Sequence, residues 1–207
     1  MQMHLLTGRP APETTKPQAT PINNATLINQ DSGNFEYYTP PFIVEAARKV
    51  LGTINLDPAS SRQANKSVQA RRFFTVIDDG LTQPWHGTVW MNHPFGRERN
   101  PVWISKLCTE YTGGNVSAAC CITFAATSER WFQPLFDYPL CFLHPRTNYL
   151  LPDGSLKRGV TKGSVVAYLG DNVTGFVGEF EQLGRVMLPA GRFAAQKVEW
   201  AQRGNSP

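Results

Sequence analysis

The chain of 207 residues contains no apolar run approaching the about 18 residues of a membrane-spanning helix, and its first residues do not follow a secretory-signal pattern. Neither membrane insertion nor secretion is expected. The cysteines at 108, 120, 121 and 141 have no paired metal-ligand spacing, which excludes a zinc ribbon and a disulfide framework. They read as core thiols of a reduced, intracellular protein. The 4 histidines are scattered without ligand spacing, so zinc-activated water chemistry, including deamination, has no visible ligand set. No Gly-x-Gly is present, so the dinucleotide fingerprint is missing. Neither sign of charge dominates: 20 Lys plus Arg against 16 Asp plus Glu leaves +4, a modest excess compatible with a nucleic-acid surface.

What is present suffices for one sizeable α/β core and scarcely for two domains. Residues 1–30 carry Pro10, Pro12, Pro17 and Pro21 among Thr, Gln and Asn and are expected to lack fixed structure. A single domain is expected over residues 31–200, with a flexible tail at 201–207. Thr39 is placed to cap a helix with prolines at its first positions and Phe42, Ile43, Ala46, Ala47, Val50 and Leu51 on one face, ended by Gly52. Strands are expected around residues 54–58, 70–75, 88–91, 116–124, 140–143, 164–169, 176–180 and 184–188. Helices are expected within 60–70 and 102–111, and a short one after Thr127 or Ser128.

The most informative stretch is Thr88-Val89-Trp90-Met91-Asn92-His93-Pro94-Phe95-Gly96. A run suited to a buried strand stops at Asn, Pro and Gly, which delivers its last residues to a sheet edge where α/β proteins bind ligands. Asn92 offers a carbonyl acceptor there, and Phe95 a flat apolar face. An amino group on a flat ring, such as a nucleobase amine, suits both. Asp57, at the end of its own strand, comes to the same edge if the two strands are parallel, and Asn65 is expected to face the same pocket.

Asn92-His93-Pro94-Phe95 resembles the Asn/Asp-Pro-Pro-Tyr/Phe motif of amino-group DNA methyltransferases. Taken in order with Tyr38-Thr39-Pro40, Leu56-Asp57-Pro58-Ala59, Asp79-Gly80-Leu81 and Trp85-His86-Gly87, it resembles the phage and prophage type of DNA N6-adenine methyltransferase, the Dam family. The likeness spans residues 35–185. It departs at position 93, where His stands in place of the usual Pro. The resemblance implies a Rossmann-like S-adenosylmethionine-dependent methyltransferase fold, with a mostly parallel sheet flanked by helices. It also implies transfer of a methyl group to adenine N6 of double-stranded DNA by base flipping, with no metal and a cytoplasmic setting, that of the host cell if phage-encoded.

On the same basis Asn92, His93, Pro94 and Phe95 are the expected catalytic loop. The side-chain oxygen of Asn92 and the backbone carbonyl of His93 would hold the amine, and Phe95 would stack on the base. Tyr38, Thr39, Asp57, Pro58, Ala59, Asp79, Leu81 and Asn92 are the expected cofactor residues, Asp57 as acceptor for the ammonium of the cofactor. Arg97 and Arg99 beside the loop, and Arg146, Lys157, Arg158 and Lys162 in the basic tract of residues 144–163, are the expected phosphate contacts. A catalytically silent DNA-binding relative, and transfer to cytosine N4 or RNA adenine, are the competing readings.

Overall fold

In the computed structural model, residues 37–151, 153–157 and 160–190 are described. The expectations for residues 1–30 and 201–207 lie outside them. Among the described residues the first helix, α1 (Pro41–Leu51), starts at prolines and ends at Gly52, whose φ of 73° suits a residue without a side chain. Its cap differs from expectation. Pro40 occupies the cap position with no side-chain bond to the helix, and the buried Thr39 hydroxyl has no hydrogen-bond partner. Ser61 does cap α2 (Arg62–Val68), accepting from the Ala64 N–H. The longest helix among the described residues, α3 (Arg99–Thr112), follows the central loop, and a 3-10 helix spans Arg130–Asp137.

Among the described residues seven strands form one sheet: β1 (Leu56–Asp57), β2 (Arg72–Phe73), β3 (Gly87–Met91), β4 (Val116–Phe124), β5 (Leu140–Leu143), β6 (Ser164–Leu169) and β7 (Gly184–Met187). Their spatial order is β2-β1-β3-β4-β6-β5-β7. The ladders joining β2, β1, β3 and β4 are parallel, and those joining β4, β6, β5 and β7 are antiparallel. The sheet is therefore mixed, flanked by helices as a Rossmann-like methyltransferase requires. The mixing arises because β6 follows the tract 144–163 and enters between β4 and β5 in the opposite direction.

The pleat divides the core. On one face Trp90 and Ile122 pack with Ile43, Ala47 and Val50 of α1; on the other Val89, Met91 and Cys121 pack with Trp103, Ile104 and Leu107 of α3. Cys120, Cys121 and Cys141 are buried core thiols, and Cys108 is half-buried. The segment expected as a strand at 176–180 is instead the end of α4 (Val173–Phe180). Its two phenylalanines lie four residues apart, stack at 4.6 Å and are both fully buried. Such spacing places both on one helical face, where each burial contributes about 1.5–3 kcal/mol. Asn172 fixes the start by accepting from Gly175 N–H while donating to the Val50 carbonyl of α1. Among the described residues no helix is long and apolar enough to cross a membrane.

Candidate active site

Because β1 and β3 run parallel, with Leu56 beside Val89, their ends open onto the same edge of the sheet. A cavity of about 850 Å³ lies there. Its wall includes Tyr38, Thr39, Asp57, Pro58, Ala59, Asp79, Leu81 and Asn92, together with Pro94 and Arg99. Apolar area comes from Trp90, Val102 and Trp103, and a rim from Leu150 and Leu151. The volume falls in the range typical of sites that enclose a small organic ligand.

The floor is made by two turns pressed together. A Cβ on Gly80 would come 1.9 Å from the Pro58 carbonyl oxygen, so only glycine lets the turn after β2 approach the turn after β1. Trp85 locks this approach: its buried indole N–H donates to the Gly80 carbonyl at 2.8 Å, and its ring stacks on Trp103 at 6.1 Å. Asp79 closes the same turn at a φ of 50°, with its carboxylate accepting from the Leu81 N–H.

Asp57 is 2% exposed, and burial pushes its carboxyl up to about 7. The Ala59 N–H, which donates to it at 3.2 Å, and the neighbouring Ser60 hydroxyl oppose that rise only in part. The buried hydroxyl of Thr39, also on the wall, makes no hydrogen bond. A buried carboxyl and an unpaired hydroxyl on one wall suit a ligand that brings a cation and polar groups of its own, and the ammonium and ribose of S-adenosylmethionine fit that description. Among the described residues no three His, Cys, Asp or Glu side chains gather as a metal site would need.

The Asn92 amide is oriented by its neighbour. Its Nδ2 donates to the Tyr37 carbonyl at 2.7 Å, which leaves Oδ1 as an acceptor at the cavity wall. Tyr38, the next residue, exchanges two backbone hydrogen bonds of 2.8 Å with Leu150. The segment before α1 is thus held between the central loop and the basic tract.

Two loop side chains turn away from the cavity. His93 is 1% exposed and donates through Nε2–H to Asn100 Oδ1 at 3.1 Å; burial lowers its pKa to about 4, so the ring is neutral near pH 7. Phe95, expected to present an open face to a base, is 8% exposed and packs on Phe124 at 4.4 Å and on Tyr149 at 5.7 Å. In the structure that face is covered by the aromatic rings of Phe124 and Tyr149. Asn65 is likewise turned inward, its amide closing both the N–H and the carbonyl of Ala70 at the end of α2.

Arg97 and Arg146 are exposed and off the cavity wall. Lys157 stands over the Tyr37 ring at 5.8 Å and Lys162 over Phe124 at 5.1 Å, so two cations of the tract lie against the aromatic surroundings of the central loop. Arg158 lies outside the described residues. Sequence reasoning missed Ser61, whose hydroxyl lies 3.2 Å from that of Tyr38, and the rim residues Leu150 and Leu151. Ser61 was legible as the cap of α2. The rim follows from a pairing across more than a hundred residues and had no local signal.

A Rossmann-like sheet whose parallel edge carries a buried acid and an Asn-x-Pro-Phe loop defines a methyltransferase that acts on an amino group. The family model for DNA N-6-adenine-methyltransferase (Dam) matches residues 29–142, more than half of the chain. The chain belongs to this family, and its activity is S-adenosylmethionine-dependent methylation of adenine N6 in DNA. Neither the curated proteins nor the solved structures gave a match.

Proposed function

We propose that Asn92 and the His93 carbonyl hold the target adenine amine of double-stranded DNA at the mouth of the cavity. The observation that carries this is the Tyr37–Asn92 hydrogen bond, which engages one amide N–H with the protein and leaves the oxygen to accept from an incoming N–H. A second acceptor from the His93 backbone would take the other amine proton. With both protons so engaged, the nitrogen lone pair is directed out of the ring plane. Bound S-adenosylmethionine supplies an electrophilic methyl group.

Asp57 would hold the cofactor's ammonium, with Thr39 and Ser60 offering hydroxyls and Tyr38, Pro58, Ala59, Asp79 and Leu81 the surrounding wall. The cavity lies at the end of the sheet, so a paired base has to leave the duplex to reach Asn92. Arg97, Arg99, Arg146, Lys157, Arg158 and Lys162 would meet the phosphates around that base. His93, neutral and directed into the core, acts through its backbone. Proton loss from the methylated amine goes to solvent.

Incubation with labelled S-adenosylmethionine and duplex DNA of mixed sequence, followed by nucleoside analysis, should give N6-methyladenine and no N4-methylcytosine. Asn92→Ala, folded and still binding cofactor, should give almost none. Label on cytosine, or full activity of Asn92→Ala, would overturn the assignment of the loop.

A further inference from the structure

The loop that carries Asn92 has a weak point at residue 93. Pro94 has its φ fixed by its ring, and it biases the residue before it towards extended angles; His93 itself has no such ring. Yet the His93 carbonyl can accept an amine proton only if that peptide is held in one orientation. The side chain of His93 is off the cavity wall and buried between Phe95 at 5.4 Å and Trp103 at 6.4 Å.

There it meets Asn100, in the first turn of α3 and 6% exposed. One atom, Asn100 Oδ1, lies 3.1 Å from His93 Nε2 and accepts from the Gly96 N–H at 3.3 Å. The Gly96 carbonyl in turn accepts from the Asn100 N–H at 3.0 Å. Residues 93 and 96, the two ends of the turn after Asn92, are thereby tied to one side chain of the helix that follows. An amide oxygen only accepts, so His93 is protonated on Nε2; its buried Nδ1 has no partner.

We infer that His93 and Asn100 form a positioning clasp for the target-amine loop, in which the imidazole fixes the 93 peptide from the core side while its carbonyl faces the substrate. This rests on the reading of Asn92 as the amine holder. It assigns a role to Asn100 and makes the side chain of His93 a positioning group with no part in proton transfer.

The test is a double-mutant cycle read by single-turnover methylation at saturating cofactor and DNA, with cofactor affinity measured separately. Asn100→Ala should slow transfer roughly ten- to a hundredfold, as displacement of a reacting group does, with cofactor affinity unchanged. Asn100→Asp keeps the acceptor and should restore most of the rate. His93→Pro replaces the clasp by a ring that fixes φ of residue 93, a covalent restraint on the same turn, and should remain active; in that background Asn100→Ala should cost little more, leaving only the Gly96 bond to lose. The imidazole nitrogen chemical shifts should report the Nε2–H form in the parent and in Asn100→Asp, and lose it in Asn100→Ala.

An Nδ1–H imidazole, or an Asn100→Ala penalty that is equal in both backgrounds or absent from both, overturns the clasp. If Asn100→Ala does not fold, His93→Phe fills the same apolar space without a donor; slow transfer supports the clasp and full-rate transfer overturns it. Failure of the underlying site reading has a different signature. It is full activity in Asn92→Ala, whereas an inactive Asn92→Ala with an additive cycle removes the clasp alone.

Discussion

Asp57 and His93 sit on neighbouring turns at one edge of the sheet, both almost fully buried, and burial drives both towards their neutral forms. They differ in what they face. Asp57 belongs to the cavity wall, where an arriving cation can restore its charge; His93 points into a core of aromatic rings, where an amide is its hydrogen-bond partner. The same desolvation thus prepares a ligand group in one turn and a structural group in the next. The side of the strand end on which each emerges decides which.

The largest expected effect is on the acceptor between them. Asn92→Ala should lower the single-turnover methylation rate by on the order of a hundredfold or more, as removal of an aligned polar group from a reaction centre does, while Asn92→Asp keeps an acceptor and should retain more. Circular dichroism and cofactor calorimetry would show that the fold and cofactor affinity persist in both.

Next is Gly80→Ala. It drives a methyl group into the Pro58 carbonyl and should force the two floor turns apart, weakening cofactor binding and lowering stability by an amount typical of overpacking, about 1–3 kcal/mol, read as a fall in Tm. Unchanged cofactor affinity in this variant would mean that these turns do not form the cofactor floor.

Asp57→Asn should split binding from stability. The carboxyl titrates near 7 folded against 3.8 unfolded, so the folded state holds a proton more tightly and loses stability as pH rises from about 4 to about 7, by up to about 4 kcal/mol. Asn removes that cost, so at pH 8 the ligand-free variant should melt higher than the parent while binding S-adenosylmethionine at least about tenfold more weakly. In the parent, cofactor affinity should fall as pH drops below about 7, where the carboxyl takes up its proton. His93 acts on stability with the opposite sign. Its pKa falls from 6.5 to about 4, so the stability it confers is complete above about 6.5 and is lost as pH falls towards 4.

The smallest effect is expected at the cations. Replacing Lys157 and Lys162 together by Gln should weaken DNA binding uniformly across sequences and flatten its salt dependence by about two phosphate contacts, without altering cofactor affinity. A salt slope equal to that of the parent would make both lysines surface groups packed on Tyr37 and Phe124.

Much was settled within short stretches of the sequence. The Asn-His-Pro-Phe run after a buried strand, the Leu-Asp-Pro-Ala turn and the helix from Pro41 to Gly52 each follow from neighbouring residues, because strand termination, proline geometry and helical periodicity act over a few positions. The two phenylalanines of α4 were open to two periodicities, and packing on α1 selected the helical one. Which way a side chain leaves a known turn was not legible at all. That Phe95 and His93 turn inward while Asn92 and Asp57 face the cavity, that β6 enters the sheet in reverse, and that Leu150 meets Tyr38 all depend on partners distant along the chain. The sequence by itself determined the chemistry available at the sheet edge, because local residue types carry it. Only the tertiary structure decided which of those groups would meet a substrate and which the core would keep, because that choice turns on burial against residues the chain brings back from elsewhere.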